Sequence, residues 1–66
     1  MNLENRFTYH PPKEGQPERY VAIRDKAREL AFLIEMSFPA SRECDTAIDR
    51  LDECVMWANA SIARNE

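Results

Sequence analysis

The apolar positions of this chain fall into two long runs of helical period. In the first, Ile23, Ala27, Leu30 and Ile34 recur at spacings of four, three and four, and Tyr20, Ala31, Leu33 and Phe38 widen the stripe. In the second, Ile48, Leu51, Val55, Ala58 and Ile62 recur at three, four, three and four, flanked by Cys44, Ala47 and Cys54. Such spacings keep side chains on one face of a helix. The first helix should start near Pro17, because proline suits the first helical position and Glu18 suits the positive end of the helix dipole. It should end at Phe38, since Pro39 disfavours helix at the residue before it. Ser41 is a good N-cap for the second helix, with Arg42 and Glu43 in its first turn, and that helix should run to about Arg64. Each element is about 30 Å long. The connection around Phe38 to Ala40 is short, so an antiparallel hairpin is expected.

What precedes the hairpin is different in kind. Asn2 to Phe7 suit one short helical turn, and Thr8 to Gln16 read as loop. Pro11 and Pro12 force extended geometry on His10 and Pro11 and remove two amide donors. Gly15 supplies a permissive turn. The stretch from Phe7 to Tyr20, FTYHPPKEGQPERY, holds three of the four prolines, the only glycine, the only histidine and both tyrosines. The expected fold is therefore all-α and a single domain over residues 1–66: an N-terminal segment and loop (1–16), a first long helix (17–38) and a second (41–64).

Length changes this picture. Ordering 66 residues costs on the order of 100 kcal/mol, which apolar burial in a lone small domain only about matches. Such chains tend to need disulfides, metal or partner subunits. Cys44 and Cys54 sit about 15 Å apart along one helix, too far to bridge. No second histidine joins His10 to build a metal site, and no cofactor motif appears. Self-association is what remains. Two packed helices cover only one face of each other, so Trp57, Met56, Phe32, Met36 and Leu33 cannot all enter the seam. They should form surfaces for further copies of the chain in a symmetric homo-oligomer.

Charge narrows the partners. A net charge of −3 argues against a general nucleic-acid binder, so no DNA partner is expected. There is no signal peptide and no apolar run long enough for a membrane, and two free thiols fit a reducing cytoplasm. The charge is uneven, however. Arg19, Arg24, Lys26 and Arg28 cluster on the first helix, and Glu43, Asp45, Asp49, Asp52 and Glu53 on the second. Complementary helix surfaces explain this blandly; a local anion site is the sharper alternative.

Catalysis has little to stand on. No nucleophile motif partners His10, no glycine-rich phosphate loop exists, and the aspartates at helical spacing read as a solvated face. Binding fares better. Tyr9 and His10 are flat groups beside Pro11 and Pro12, which stiffen the loop. A ring ordered in advance can stack on a nucleobase at little further entropic cost. Arg24, Lys26 and Arg28 follow on the helix and suit phosphate oxygens. The ordinary alternative is that Tyr9 packs on the hairpin and His10 bonds a backbone group. Late in the chain, Asn59 and Arg64 add polar groups to an apolar turn, which ordinary packing and the helix dipole also explain.

Four stretches taken together carry a resemblance: F-x-Y-H-P-P-K-x-G-Q, R-Y-x-x-I-R-x-x-A-x-x-L-A, P-x-S-R-E and V-M-W-A-N-A-x-I-A-R-N. The chain resembles, from about Phe7 to Asn65, the phage anti-CBASS cyclic-oligonucleotide sponges. CBASS is a bacterial antiphage system in which a synthase makes cyclic nucleotides that switch on a cell-killing effector. The resemblance implies a non-catalytic protein that holds the messenger intact, away from the effector, in the cytoplasm of the infected bacterial host. It implies a helical homohexamer with cyclic dinucleotides such as cyclic GMP-AMP between protomers. Some family members also hold cyclic trinucleotides around three-fold axes. By this resemblance Tyr9 is the base-stacking residue. The family's phosphate-facing lysine falls nearest Arg24, with Lys26 the other candidate and Arg28 beside them. If it is Arg24, the chain departs from lysine. Arg64 is the candidate for the three-fold pocket, and His10 and Pro11 shape the first pocket. The competing expectation is a helical protein-interaction adaptor built on Trp57, Met56 and the loop; a messenger hydrolase is a third, which a lone histidine does not support.

Overall fold

Three local signals set the architecture. Asn2 caps the first turn, its side chain accepting from the Asn5 amide at 3.1 Å. Gly15, at φ +82°, turns the chain left-handed into the first long helix, with Pro17 in that helix's first turn. Ser41 accepts from the Cys44 amide at 3.0 Å and starts the second long helix. The computed structural model, which describes residues 2–66, accordingly has α1 (Leu3–Phe7), α2 (Gln16–Ser37) and α3 (Arg42–Asn65). Phe38 is extended before Pro39, as the steric rule requires, and its amide closes the last turn of α2 on Ile34 O at 3.2 Å. No strand occurs among the described residues. None of their helices is long and apolar enough to cross a membrane.

α2 and α3 pack together as the hairpin. Gln16 lies inside α2 rather than in the loop, so α2 begins one residue before Pro17, and Phe38 lies just outside it. Half-buried along the seam are Ile23, Ala27, Ala31 and Ile34 from α2, and Cys44, Ile48, Leu51, Val55, Ala58 and Ile62 from α3. Leu30, which the pattern places in the stripe itself, and Leu33 and Phe38, which it places at the stripe's edges, stay exposed. The reason is geometric: two cylinders touch along a narrow line, and α2 spreads its apolar residues around its circumference while α3 gathers them on one face. Cys44 and Cys54 are free thiols.

The outcome is a layer one helix thick. Its Cα extents are 42 × 26 × 13 Å and its radius of gyration is 14.7 Å, against roughly 11 Å for a compact domain of this length. Accessible surface is 5626 Å², where a folded monomer of 7.7 kDa exposes roughly 4,300 Å². No apolar side chain among the described residues is buried. Met36 is 81% exposed, and Phe32, Leu33, Phe38, Met56 and Trp57 are exposed with it. An apolar groove of about 460 Å³ opens at the hairpin tip between Ile34, Phe38, Pro39 and Ala47.

Among the described residues the one buried side chain is polar. Gln16 is 3% exposed; its Oε1 accepts from the Lys13 amide at 2.9 Å and its Nε2 donates to Glu66 Oε1 at 3.2 Å. Replacing Gln16 with alanine strands the Lys13 amide and removes one donor from the Glu66 carboxylate, an expected loss of about 1–3 kcal/mol. Thermal unfolding of Q16A beside the parent checks this.

Candidate functional site

The loop's special residues tie it to the far end of the chain. His10 is half-buried, and its Nε2 lies 2.8 Å from Asn5 O, a contact in which the ring nitrogen donates. Asn5 Nδ2 in turn donates to Arg64 O at 3.1 Å, joining α1 to the end of α3. Beyond the prolines, the Gln16 amide donates to Lys13 O at 3.0 Å. Lys13 Nζ donates to Glu66 O. Arg19 grips the Glu66 carboxylate at both oxygens, Nη1 on Oε2 at 2.8 Å and Nη2 on Oε1. Two consecutive prolines and these hydrogen bonds thus hold the loop in one shape, with much of its ordering cost met before any ligand arrives.

This clamp has an electrostatic signature. The Arg19 guanidinium, helped by the Gln16 amide, pulls the Glu66 carboxyl from its ordinary 4.5 to about 2. The same hydrogen bond raises Arg19. A carboxyl depressed by folding stabilises the fold fully above its unfolded pKa and loses that contribution as pH falls to the folded one. The clamp should therefore be whole above pH about 4.5 and weaken progressively towards about 2. Carboxyl-carbon NMR of Glu66 should show a midpoint near 2 in the parent and one near the ordinary carboxylate value in Arg19→Ala.

Two concavities carry the residues singled out in the sequence. His10, Pro11, Lys13, Arg64 and Glu66 line a cleft of about 620 Å³ at the clamped end. Tyr9, next to His10, is 80% exposed and has no hydrogen-bond partner among the described residues. Its expected alternative of packing on the hairpin is not what the fold does, whereas His10 does bond a backbone group. Arg24 and Arg28 line a second groove of about 390 Å³ across from Asp49 and Asp52, floored by Ile48, Leu51 and Val55. Arg28 also lies over the Phe32 ring, 5.5 Å from its centroid. Lys26, about half a turn round the helix from these arginines, pairs with Glu29 at 3.6 Å.

Within one protomer, then, His10, Pro11 and Arg64 come together, Arg24 and Arg28 come together elsewhere, and Lys26 joins neither group. The basic cluster of the sequence is not one site: Arg19 is committed to Glu66. Sequence reading missed Gln16, Glu66 and Asn5 as the residues that fix the loop. One signal was available, because an antiparallel hairpin returns residue 66 to the start of the first long helix, where Arg19 waits. Asn59 Oδ1 is shielded from solvent without a donor among the described residues.

Residues 1–63 match the family model described as the Acb2/Tad1 hairpin domain. Comparisons with curated proteins and with solved structures gave no match.

Proposed function

We propose, from the premise that this chain belongs to the Acb2/Tad1 hairpin-domain family of anti-CBASS sponges, that it binds cyclic di- and trinucleotide messengers intact and keeps them from their effector. It acts without catalysis, in the cytoplasm of the infected bacterial host, as a homohexamer with no DNA or membrane partner. The observation that carries this reading, beside the family, is an exposed tyrosine ring on a loop pinned at both ends. A ring so placed is costly to leave in water and ready to stack on a base.

A cyclic dinucleotide has approximate two-fold symmetry. Two copies of Tyr9 across a two-fold interface can cover its two bases, and two copies of one cation can meet its two phosphates. Arg24 is the cation we assign, since it has no ion-pair partner among the described residues, whereas Lys26 pairs with Glu29. Arginine there would bind phosphate as a fork rather than as a point charge. Arg64, lining the cleft with His10, is assigned to cyclic trinucleotides at a three-fold axis. Asp49 and Asp52 beside Arg24 make the groove of one protomer a poor anion site. A second copy must supply further cations, which accords with a ligand held between copies.

The test is direct. The purified protein is mixed with cyclic GMP-AMP, binding is measured, and the complex is heat-denatured and the ligand analysed. Near-stoichiometric release of intact cyclic GMP-AMP supports sequestration. Degraded ligand would make the protein a hydrolase. Absence of binding to any cyclic di- or trinucleotide would leave the adaptor reading, which the exposure of Trp57 and Met56 favours.

A further inference from the structure

The second groove presents opposite charges that do not meet. Arg24 and Arg28 stand on its α2 edge, Asp49 and Asp52 on its α3 edge, and among the described residues no ion pair closes across it. Its floor is apolar and only half-buried: Ile48, Leu51 and Val55 beneath the small side chains Ala27 and Ala31. The face is therefore a stripe of unburied apolar surface between a basic and an acidic rail.

We infer that this face seats the same face of a second copy, with Arg28 of each chain closing on Asp52 and Asp49 of the other. The second copy is the occupant for two reasons. The first is area. The protomer exposes roughly 1,300 Å² more than a folded monomer of its mass should, and a standard interface takes about 800 Å² from each partner. The second is charge complementarity, which also selects the arrangement. Two such faces can meet about a two-fold axis that runs along the helices or across them. An axis across the helices lays α2 on the partner's α2, so basic rail meets basic rail and acidic meets acidic. An axis along the helices lays each α2 on the partner's α3 at the same level, and unlike charges meet.

The register fits that second arrangement. With Ser37 ending α2 and Arg42 starting α3, residue 28 stands about level with residue 51, so Arg28 falls beside Asp52 of the facing chain. Arg24, one turn nearer the loop, comes level with about residue 55, where the facing chain offers Val55 rather than a carboxylate. The two arginines then divide the work: Arg28 closes the seam, while Arg24 is left for an anion. In this arrangement both hairpin tips point one way and both Tyr9 loops share the opposite end.

The charges make the test separable from nucleotide binding, because it is run without ligand. Arg28→Glu and Asp52→Arg are made as single variants, and mass in solution is measured by light scattering. Each variant alone should dissociate about tenfold more readily or worse, because like charges now face each other twice per pair. Mixed in equal amounts, the two should reassemble, since the side chain introduced by Arg28→Glu meets the one introduced by Asp52→Arg, and native Arg28 meets native Asp52. Neither chain regains a pair of its own in the mixture, so recovery can only arise between copies. Circular dichroism follows the fold in parallel, and a single variant that loses helix alone should regain it on mixing. Single variants that assemble as the parent does, or a mixture that stays at the mass of its components, would overturn the inference.

Discussion

Replacing Tyr9 with alanine is expected to weaken cyclic GMP-AMP binding by about 30-fold or more while leaving helix content and assembly unchanged. Stacking on an aromatic ring contributes about 1–3 kcal/mol per base. A two-fold site loses two such stacks at once, so the total is about 2–6 kcal/mol. The fold should be indifferent, because Tyr9 is exposed and holds nothing in place. Tyr9→Phe should retain most of the affinity, since the ring and not the hydroxyl does the stacking. Calorimetric titration of the parent and both variants, with circular dichroism alongside, checks all three statements. An alanine variant that binds as tightly as the parent would remove Tyr9 from the site.

Dilution should cost this protein its fold. In the isolated protomer no apolar side chain is buried among the described residues, and only Gln16 lies fully inside. That is too little covered surface to offset the entropy of ordering the chain, which is about 1–2 kcal/mol per residue for the backbone alone. In the proposed assembly, contacts between copies supply the difference. Stability then depends on concentration by mass action, and for a pair of chains each tenfold dilution removes about 1.4 kcal/mol of association free energy. The thermal midpoint should fall at every dilution step, with loss of helix and loss of assembly coinciding. A midpoint that stays fixed over a hundredfold range of concentration would mean that a lone protomer is stable.

The hairpin was legible because its signals are local. Spacings of three and four name the apolar faces, Pro39 ends one helix and Ser41 begins the next, and a short connection permits only an antiparallel return. What periodicity cannot give is which apolar residues find cover. Leu30, Leu33 and Phe38 satisfy the helical pattern as well as Ile34 does, but they point away from the narrow line where the two helices touch. The site divides in the same way. Tyr9, His10 and the prolines announce themselves by crowding into one loop. That His10 shares a cleft with Arg64, that Arg19 is consumed by Glu66, and that Gln16 fastens the loop are facts of tertiary register between residues some fifty positions apart. Charge clustering in the sequence suggested one basic patch. The helix turn separates it, since Arg24 and Arg28 fall on one face and Lys26 on another.

The central claim is that copies of this chain hold a ring-shaped nucleotide between them, unaltered. Native mass spectrometry of the protein with cyclic GMP-AMP reads assembly and cargo in one spectrum. The account predicts a multiple of the 7.7 kDa protomer, six copies in the proposed assembly, carrying intact ligand at one molecule per two chains. Ligand riding on single protomers, or an assembly that carries none, would contradict it.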